Sequence, residues 1–168
     1  DGYHLLETVF LPVELKDWME VSIAADDSCK IQLEGISIDA PQESNLCWKA
    51  WRMLKDAYPQ VGGVRIHLKK GIPAGAGLGG GSSDAAHTLK SLNFLFSLGL
   101  TMDQLAPYAA SLAADCPFFL YNTPMFASGI GTDLVPFPME IPFQIRVLTS
   151  AIHSSTPEAY KALDWTQL

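Results

Sequence analysis

Six glycines lie close together in residues 71–84, which run Gly-Ile-Pro-Ala-Gly-Ala-Gly-Leu-Gly-Gly-Gly-Ser-Ser-Asp. Each glycine loses more backbone entropy on ordering than any other residue, so such a run is costly in a purely structural turn. It is useful where backbone N–H groups must converge on an anion without Cβ atoms in the way. An amphipathic helix follows directly, and its N-terminus adds unpaired N–H donors and the positive end of its dipole. The run therefore predicts a phosphate-binding loop.

Two serines, Ser82 and Ser83, stand where the glycine run meets this helix. Their hydroxyls can cap the helix, or they can donate to phosphate oxygens and bind a magnesium ion. The alternative is a flexible turn in which Ser82 is an ordinary N-cap. Because the run lies between a predicted strand and a predicted helix, we favour phosphate binding.

Three common nucleotide-binding loops do not match this run. A Walker A loop requires a lysine before its Ser or Thr, and here glycine precedes serine directly. The glycines do satisfy G-x-G-x-x-G, but residues 97–101, about twenty positions further on, lack the acidic residue of a dinucleotide-binding fold. A protein-kinase glycine loop runs into a strand, whereas residues 83–96 have helical spacing.

The elements around the glycine run predict a domain with both sheet and helices. Apolar or alternating stretches that predict strands lie at residues 6–13, 19–24, 30–33 and 64–68. Helical spacing of apolar residues covers residues 45–58 and 83–96. Repeats, linkers and low-complexity segments are not evident, so the chain is predicted to form one domain.

A third helix is predicted to start at a capping box formed by Thr101 and Gln104. Pro107 lies inside this helix and removes one hydrogen bond, so a local kink or a late start is expected. The helix ends near Ala114, and residues 115–117 form a predicted turn. Further strands are predicted at residues 125–128 and 144–149.

Asp115 is a candidate catalytic acid or base. An acid at the C-terminal end of a helix is mildly unfavourable, so capping explains this residue poorly. The apolar neighbours, Ala113 and Ala114 before it and residues 117–120 after it, favour a partly buried carboxylate. A solvated turn residue remains the alternative.

Composition limits the classes of function. The net charge is −7 without a basic run, which disfavours general nucleic-acid binding. None of the apolar runs has membrane-spanning length, so a soluble protein is expected. The three cysteines are far apart and lack C-x-x-C spacing, which disfavours a disulfide framework or a zinc site and fits a reducing cytoplasm.

Residues 73–83 match the pattern Pro-x-Gly-x-Gly-Leu-Gly-x-x-Ser-Ser without a gap. In this respect the chain resembles the GHMP kinases, which include galactokinase and the homoserine and mevalonate kinases. The resemblance implies an α+β fold, a GHMP-kinase N-terminal domain with a ribosomal-protein-like layer of sheet and a layer of helices, over residues 1–150. Residues 151–168 would begin the connection to a C-terminal domain that is largely missing from this chain.

Further stretches are similar to one branch of that family, whose members phosphorylate the 2-hydroxyl of 4-diphosphocytidyl-2-C-methyl-D-erythritol in the non-mevalonate isoprenoid pathway. They are Asp-Gly-Tyr-His at residues 1–4, Glu-Thr-Val-Phe at 7–10, the triple glycine with Ser-Ser-Asp-Ala-Ala within 77–86, Ala-Asp-Cys-Pro-Phe-Phe at 114–119, Gly-Ile-Gly at 129–131 and Ser-Thr at 155–156. The branch resemblance implies ATP and Mg²⁺ as cofactors. It also implies a small-molecule substrate with a cytidine diphosphate group, no nucleic-acid or membrane partner, and a monomer or homodimer.

The resemblance also implies a role for individual residues. Asp115 would be the catalytic acid/base that orients and deprotonates the 2-hydroxyl as it attacks the γ-phosphorus of ATP. The residues that would bind the phosphates of ATP are Pro73, Gly75, Gly77, Leu78, Gly79, Gly80, Gly81, Ser82 and Ser83, of which Ser82 or Ser83 would also contact Mg²⁺. No other metal ligand is assigned, because His67, His87 and His153 show no ligand spacing.

The nucleoside ends of the two substrates have their own candidates. By resemblance, Tyr3 would stack on cytosine, His4 would hydrogen-bond the base edge, and Thr156 and Tyr160 would close the other side. Asn45 and Lys70 resemble positions that contact the adenosine of ATP. An exposed helix cap for Asn45 and a solvated lysine for Lys70 remain alternatives.

Two other functions stay open at this point. The first keeps the fold but phosphorylates a mevalonate-like or homoserine-like alcohol, and the second is a non-catalytic nucleotide-binding relative. The family pattern also calls for a strand with a lysine and an asparagine that would precede Asp1. A protein of only these residues is therefore predicted to be inactive or nearly so.

Overall fold

The computed structural model describes residues 5–36, 41–73 and 75–149, together with Ala162. The predicted substrate contacts Tyr3, His4, Thr156 and Tyr160 lie outside the described residues. So do His153 and the stretches at 1–4 and 155–156, which contribute to the resemblance.

The described chain alternates strands with helices. The strands are β1 (Thr8–Phe10), β2 (Trp18–Ile23), β3 (Cys29–Gly35), β4 (Val64–Lys70), β5 (Met125–Ser128) and β6 (Asp133–Pro136). The helices are α1 (Leu46–Ala57), α2 (Gly80–Leu95), α3 (Met102–Leu112) and α4 (Cys116–Tyr121), and a short 3-10 turn spans Gln42–Ser44. The predicted α+β class is confirmed.

Strand β4 is the middle strand of a sheet with the order β2-β4-β3. It pairs antiparallel with β2 and parallel with β3. Along β4, Val64, Ile66 and Leu68 are buried, and the side chains between them are exposed or half-buried. This alternation is the period of a strand with one face on the core, as predicted. The glycine run begins directly after this strand, at Gly71.

The helices cover one face of this sheet and form one core with it. Helices α1 and α2 pack on each other, α1 also contacts β3, and α2 also contacts β2, α3 and α4. Apolar residues fully buried in this core come from β4 and from every helix: Leu54, Val64, Ile66, Leu68, Leu89, Leu92, Leu105, Ala109 and Cys116. Helix α2 therefore lies in the interior, with its N-terminus at the glycine run.

Local caps fix two of the helix starts. The Asn45 side chain accepts a hydrogen bond of 2.8 Å from the backbone N–H of Cys47 at the start of α1. The predicted capping box of α3 is confirmed, since Thr101 and Gln104 exchange side-chain and backbone hydrogen bonds. Helix α3 begins directly at Met102, so the late start allowed for Pro107 is wrong.

The region after α3 departs from the sequence predictions. The turn predicted at residues 115–117 is wrong in part, because Cys116 and Pro117 begin α4. Proline is tolerated there since the first N–H groups of a helix have no intrahelical acceptor. The following strand β5 is confirmed, and it pairs antiparallel with β1 and β6 in a smaller sheet of order β1-β5-β6.

The strand predicted at residues 144–149 is wrong, since that segment has no strand in the structure. Its apolar side chains are largely exposed, with Ile145 at 45% and Leu148 at 87%. Alternating apolar residues form a strand only where a neighbouring strand accepts their backbone hydrogen bonds. The strand that pairs with β5 is instead β6. The sequence pattern did not predict β6, because this strand has only four residues and ends at Pro136.

Within the described ranges, no helix is both long and apolar enough to cross a membrane. The three cysteines, Cys29, Cys47 and Cys116, are buried and unpaired. Burial raises the pKa of each thiol to about 12, so all three stay protonated near neutral pH.

Candidate active site

The glycine run turns the chain from β4 into α2 through left-handed backbone conformations. Gly77 has a φ of 70° and Gly79 has a φ of 65°. Residues with a Cβ rarely adopt such angles, so glycine is required at these turns. Gly79 is the N-cap of α2, and the helix begins at Gly80, three residues before the predicted start at residue 83. The low helix propensity of glycine obscured this boundary.

The first turn of α2 presents backbone donors that the helix itself does not use. The first N–H to bond within the helix is that of Ser83, which donates to the Gly79 carbonyl at 2.8 Å. By helix geometry, the N–H groups of Gly80, Gly81 and Ser82 lie before it and have no intrahelical acceptor. These donors and the positive end of the dipole of a helix of 16 residues point to an anion site.

A close contact fixes Gly79 against α4. A Cβ at this position would lie 2.6 Å from Cζ of Phe119 and 3.0 Å from Oδ2 of Asp115. The Asp115 carboxylate therefore approaches the backbone at the start of α2 within the space of one missing methyl group. Glycine at position 79 is needed for this approach as well as for its φ.

The side chains of Ser82 and Asp115 meet directly at this point. The Ser82 hydroxyl donates a hydrogen bond of 2.6 Å to Oδ1 of Asp115. Ser82 is buried and is the third residue of α2, so the interpretation of Ser82 as an ordinary N-cap is wrong. Asp115 is half-buried, as expected, and makes no capping hydrogen bond at the start of α4. The pair places a carboxylate beside the first turn of α2.

Two cavities open on either side of the glycine run. The first has a volume of about 510 Å³, and its lining includes Ser83, Asp115, Phe118 and Phe119. The second has a volume of about 640 Å³, and its lining includes Asn45, Lys70, Pro73, Gly75, Gly80, Gly81 and Ser82. Both are lined by Ile72, Gly77, Leu78, Gly79 and Asp84. The two cavities therefore meet at the start of α2.

The structure brings all of the predicted phosphate-loop residues to one or both of these cavities, with Asp115 in the first. It also places the two predicted adenosine contacts, Asn45 and Lys70, at the second cavity. Asn45 caps α1 with its carbonyl oxygen, which leaves its amide N–H groups available to a ligand. The alternative of a solvated lysine is wrong, because the side chain of Lys70 is only 4% exposed.

Lys70 is held by two carboxylates that the sequence predictions missed. Its ammonium donates to Oδ2 of Asp17 and, at 2.7 Å, to Oδ2 of Asp84. Burial raises the pKa of Asp84 to about 6, although Lys70 opposes the shift. Burial acts in the same direction on Asp17, but hydrogen bonds from Lys70 and from two backbone N–H groups outweigh it and lower the pKa of that carboxyl. Burial alone would lower the pKa of Lys70, and the two carboxylates together raise it instead.

A sequence signal for this cluster is weak. Asp17 lies 53 residues from Lys70 in the chain, and a lone aspartate before a strand gives no indication of its partner. Asp84 follows the two serines, so its place in the first turn of a helix could be anticipated, but not its burial. Within the described ranges, no group of three or more His, Cys, Asp or Glu side chains could hold a metal ion.

Comparisons with known proteins agree with this geometry. Residues 45–123 match the family described as GHMP kinases N terminal domain. The chain is 45% identical over 161 residues to the 4-diphosphocytidyl-2-C-methyl-D-erythritol kinase of Parabacteroides distasonis, covering 95% of this chain and 58% of that protein. It is 47% identical over 163 residues to the enzyme of the same name from Bacteroides thetaiotaomicron, covering 95% and 59%.

A solved structure is also similar over nearly the whole chain. The crystal structure of a 4-(cytidine 5'-diphospho)-2C-methyl-D-erythritol kinase superposes with a TM-score of 0.77 at 35% identity, covering 98% of this chain and 57% of that one. The chain thus spans somewhat over half the length of the relatives it matches. The matched family region, residues 45–123, contains the glycine run, Ser82 and Asp115. The predicted resemblance to the GHMP kinases is therefore confirmed, and residues 45–123 of this chain match the N-terminal domain of that family.

Proposed function

We propose that the protein transfers the γ-phosphoryl group of ATP to the 2-hydroxyl of 4-diphosphocytidyl-2-C-methyl-D-erythritol, in the non-mevalonate route to isoprenoids. One observation carries the proposal. The Asp115 carboxylate is hydrogen-bonded to Ser82 in the first turn of α2, where the two cavities meet. A phosphate held at that helix N-terminus would lie beside a carboxylate that faces the other cavity.

The second cavity suits the nucleotide. Its lining includes Gly80, Gly81 and Ser82, whose N–H groups have no acceptor within the helix. These groups would bind phosphate oxygens without a Cβ on the two glycines to obstruct them. Asn45 at the other side of the same cavity would contact the adenosine. Since the whole protein is acidic, phosphate binding has to depend on such local donors.

The first cavity suits the alcohol. There Asp115 would accept the proton of the attacking hydroxyl through Oδ2, while Oδ1 stays bonded to the Ser82 hydroxyl. The oxygen of the alcohol then forms a bond to the γ-phosphorus, and the bond from that phosphorus to the β,γ-bridging oxygen breaks, which releases ADP. The aromatic rings of Phe118 and Phe119 in the cavity wall would exclude water from this reaction.

Magnesium would enter with the nucleotide, because the described residues form no group of three or more His, Cys, Asp or Glu side chains that could hold the ion by themselves. The Ser82 hydroxyl and the Asp115 carboxylate are oxygen donors of the kind that Mg²⁺ accepts, so the residues present fit the ion. When bound, the ion would neutralise charge on the phosphates.

The cytidine end of the acceptor would be held by residues outside the described ranges. We assign Tyr3 to stacking on the cytosine, His4 to the base edge, and Thr156 and Tyr160 to the opposite side. Residues 1–150 would then form the domain that holds ATP, and residues 151–168 would begin the connection to a second domain.

A substrate panel on the protein, in the longest form that its gene encodes, tests this proposal. ADP release is measured with ATP and one alcohol at a time: the cytidylyl methylerythritol, mevalonate or homoserine. We expect turnover with the first alcohol alone. We expect Asp115→Asn to lower kcat by about a hundredfold or more, since general-base catalysis contributes about 10²–10⁴. The matched control Asp56→Asn changes an exposed carboxylate paired with Arg52 and should leave kcat unchanged.

Each arm of the panel can contradict a separate part of the proposal. Turnover of mevalonate or homoserine, with none of the cytidylyl alcohol, would overturn the substrate. Wild-type kcat in Asp115→Asn would overturn the role of Asp115. Binding of ATP without turnover of any alcohol would favour a non-catalytic relative.

A further inference from the structure

Asp17 contacts the beginning of the glycine run with one carboxylate oxygen. This residue lies directly before β2, and its Oδ1 accepts hydrogen bonds from the backbone N–H groups of Gly71 at 2.6 Å and Ile72 at 2.8 Å. The backbones also touch at this place, because a Cβ on Gly71 would lie 2.7 Å from the carbonyl oxygen of Lys16. The start of the glycine run is thus packed and hydrogen-bonded onto the segment before β2.

The other oxygen of Asp17 faces the end of the same run. A Cβ on Gly80, the first residue of α2, would lie 3.5 Å from Oδ2 of Asp17 and 2.9 Å from the side chain of Ile72. Oδ2 also accepts from Lys70, which in turn donates to Asp84 within the first two turns of α2. One carboxylate therefore contacts the residue that enters the glycine run and lies against the residue that leaves it.

A purely stabilising role explains this cluster poorly. Three buried ionised groups with one lysine and two carboxylates carry an unbalanced negative charge, and buried ion pairs are weak evidence for stability. The side chains of Asp17, Lys70 and Asp84 are between 4% and 8% exposed, so their desolvation is nearly complete. An apolar cluster of similar volume would serve a structural purpose at lower cost. Unlike an apolar side chain, the carboxylate of Asp17 accepts directional hydrogen bonds from two backbone N–H groups.

We propose that Asp17 is a positioning residue that fixes both ends of the glycine run, and so sets the direction in which the first N–H groups of α2 point. It does not touch the phosphates itself. It acts through Gly71 and Ile72 at one end and through Lys70 and Asp84 at the other. The statement that these N–H groups bind ATP rests on the proposed function. The hydrogen bonds by which Asp17 fixes the glycine run do not depend on it.

Amide hydrogen exchange in the wild type and in two Asp17 variants tests the hold directly. Asp17→Ala removes both hydrogen bonds to the backbone, so exchange in peptides covering residues 71–82 should accelerate by about tenfold or more. Asp17→Asn keeps an oxygen acceptor, but a neutral one with roughly half the strength, so the increase should be only about threefold. Peptides from α1, residues 46–57, should exchange at the wild-type rate in both variants. Asp26→Ala, which changes a surface aspartate paired with Lys30, is the matched control and should leave residues 71–82 unaffected.

The graded and local response separates positioning from general destabilisation, which would accelerate exchange in α1 as well. Wild-type exchange of residues 71–82 in both variants overturns the proposal, and so does equal acceleration in α1. If the alanine variant does not fold, the asparagine variant decides alone by the same criteria.

Nucleotide binding forms a separate arm of the test. If the run binds ATP, Asp17→Ala should raise the Kd for a nonhydrolysable ATP analogue and the KM for ATP by about tenfold. Asp17 also lines the first cavity, so the Kd for the analogue, measured without the alcohol, is the readout of its hold on the glycine run. A wild-type protein that fails to bind the analogue would contradict the proposed function, and the exchange experiment would still decide the role of Asp17.

Discussion

Replacing Gly79 with alanine tests whether close packing at the start of α2 holds the site together. The new Cβ would lie 2.6 Å and 2.8 Å from two ring carbons of Phe119, and 3.0 Å from Oδ2 of Asp115. Carbon atoms in proteins do not approach this closely, so the Phe119 ring must move away. Because Phe119 and Asp115 belong to the same stretch of chain, that movement would also shift the carboxylate.

Two energies add in this variant. A φ of 65° in the left-handed region costs an alanine about 1–2 kcal/mol relative to glycine. Forcing an extra methyl group into a packed contact costs about 1–3 kcal/mol. We therefore expect Gly79→Ala to lower the free energy of unfolding by about 2–5 kcal/mol.

Two other glycines provide matched controls, since each has a similar φ and open space around it. Gly77 has a φ of 70° and lies in the same run, and Gly99 has a φ of 71° in the loop between α2 and α3. A Cβ at either position would meet no atom within 4 Å. Both alanine variants should therefore lose only the backbone term of about 1–2 kcal/mol.

Urea unfolding of the three variants measures the packing term as the difference between Gly79→Ala and Gly99→Ala. ADP release then compares the activity of Gly79→Ala with that of Gly99→Ala. Gly99→Ala should keep the wild-type kcat, whereas Gly79→Ala should lose most of it because Asp115 is displaced. If Gly79→Ala were as stable and as active as Gly99→Ala, the contact between α2 and α4 would not position the carboxylate, and the reasoning would fail.

Two further predictions concern stability alone. Asp84 has a pKa raised to about 6, so between about pH 4 and pH 6 the folded protein binds a proton that the unfolded chain releases, and stability falls as pH rises. Asp84→Asn mimics the protonated carboxyl, so it should raise the free energy of unfolding at pH 7.5 by about 1–3 kcal/mol and give no gain at pH 4, measured by urea unfolding at both pH values. Thr101→Ala removes the capping box of α3 and should cost about 1 kcal/mol in the same assay, with unchanged stability arguing against the cap.

Local signals predicted the parts of the fold that depend on neighbouring residues. The alternation of Val64, Ile66 and Leu68 predicted β4, and the spacing of Thr101 and Gln104 predicted the start of α3. The density of glycine predicted a loop of special backbone geometry between β4 and α2, and the structure shows left-handed backbone angles at Gly77 and Gly79. In each case the physical cause acts over a few residues, so the sequence contains it directly.

Contacts between distant residues were not predictable in the same way. The hold of Asp17 on Gly71 spans 54 residues, and its spacing gives no signal. The sequence predicts a turn at residues 115–117 and no helix after it, because the six residues of α4 are too few to show a helical period and include Pro117. The strand predicted at residues 144–149 is wrong for the opposite reason. Its residues have the local pattern of a strand, but no neighbouring strand in the described part of the chain pairs with them.

The position of Asp115, the proposed catalytic carboxylate, combines both cases. The glycine run and Asp115 were each recognisable from the sequence, but the distance between them is set by how α4 packs on α2. Two adjacent residues make that connection: Oδ1 of Asp115 accepts from the Ser82 hydroxyl, and the Cys116 thiol donates to the Ser82 carbonyl at 3.2 Å. Ser82 is thus held by its side chain and by its backbone from the start of a single short helix. In the proposed function, the N-terminus of α2 binds the phosphates and Asp115, directly before α4, is the base. This helix contact, rather than any loop, would then determine how far the base lies from a bound phosphate.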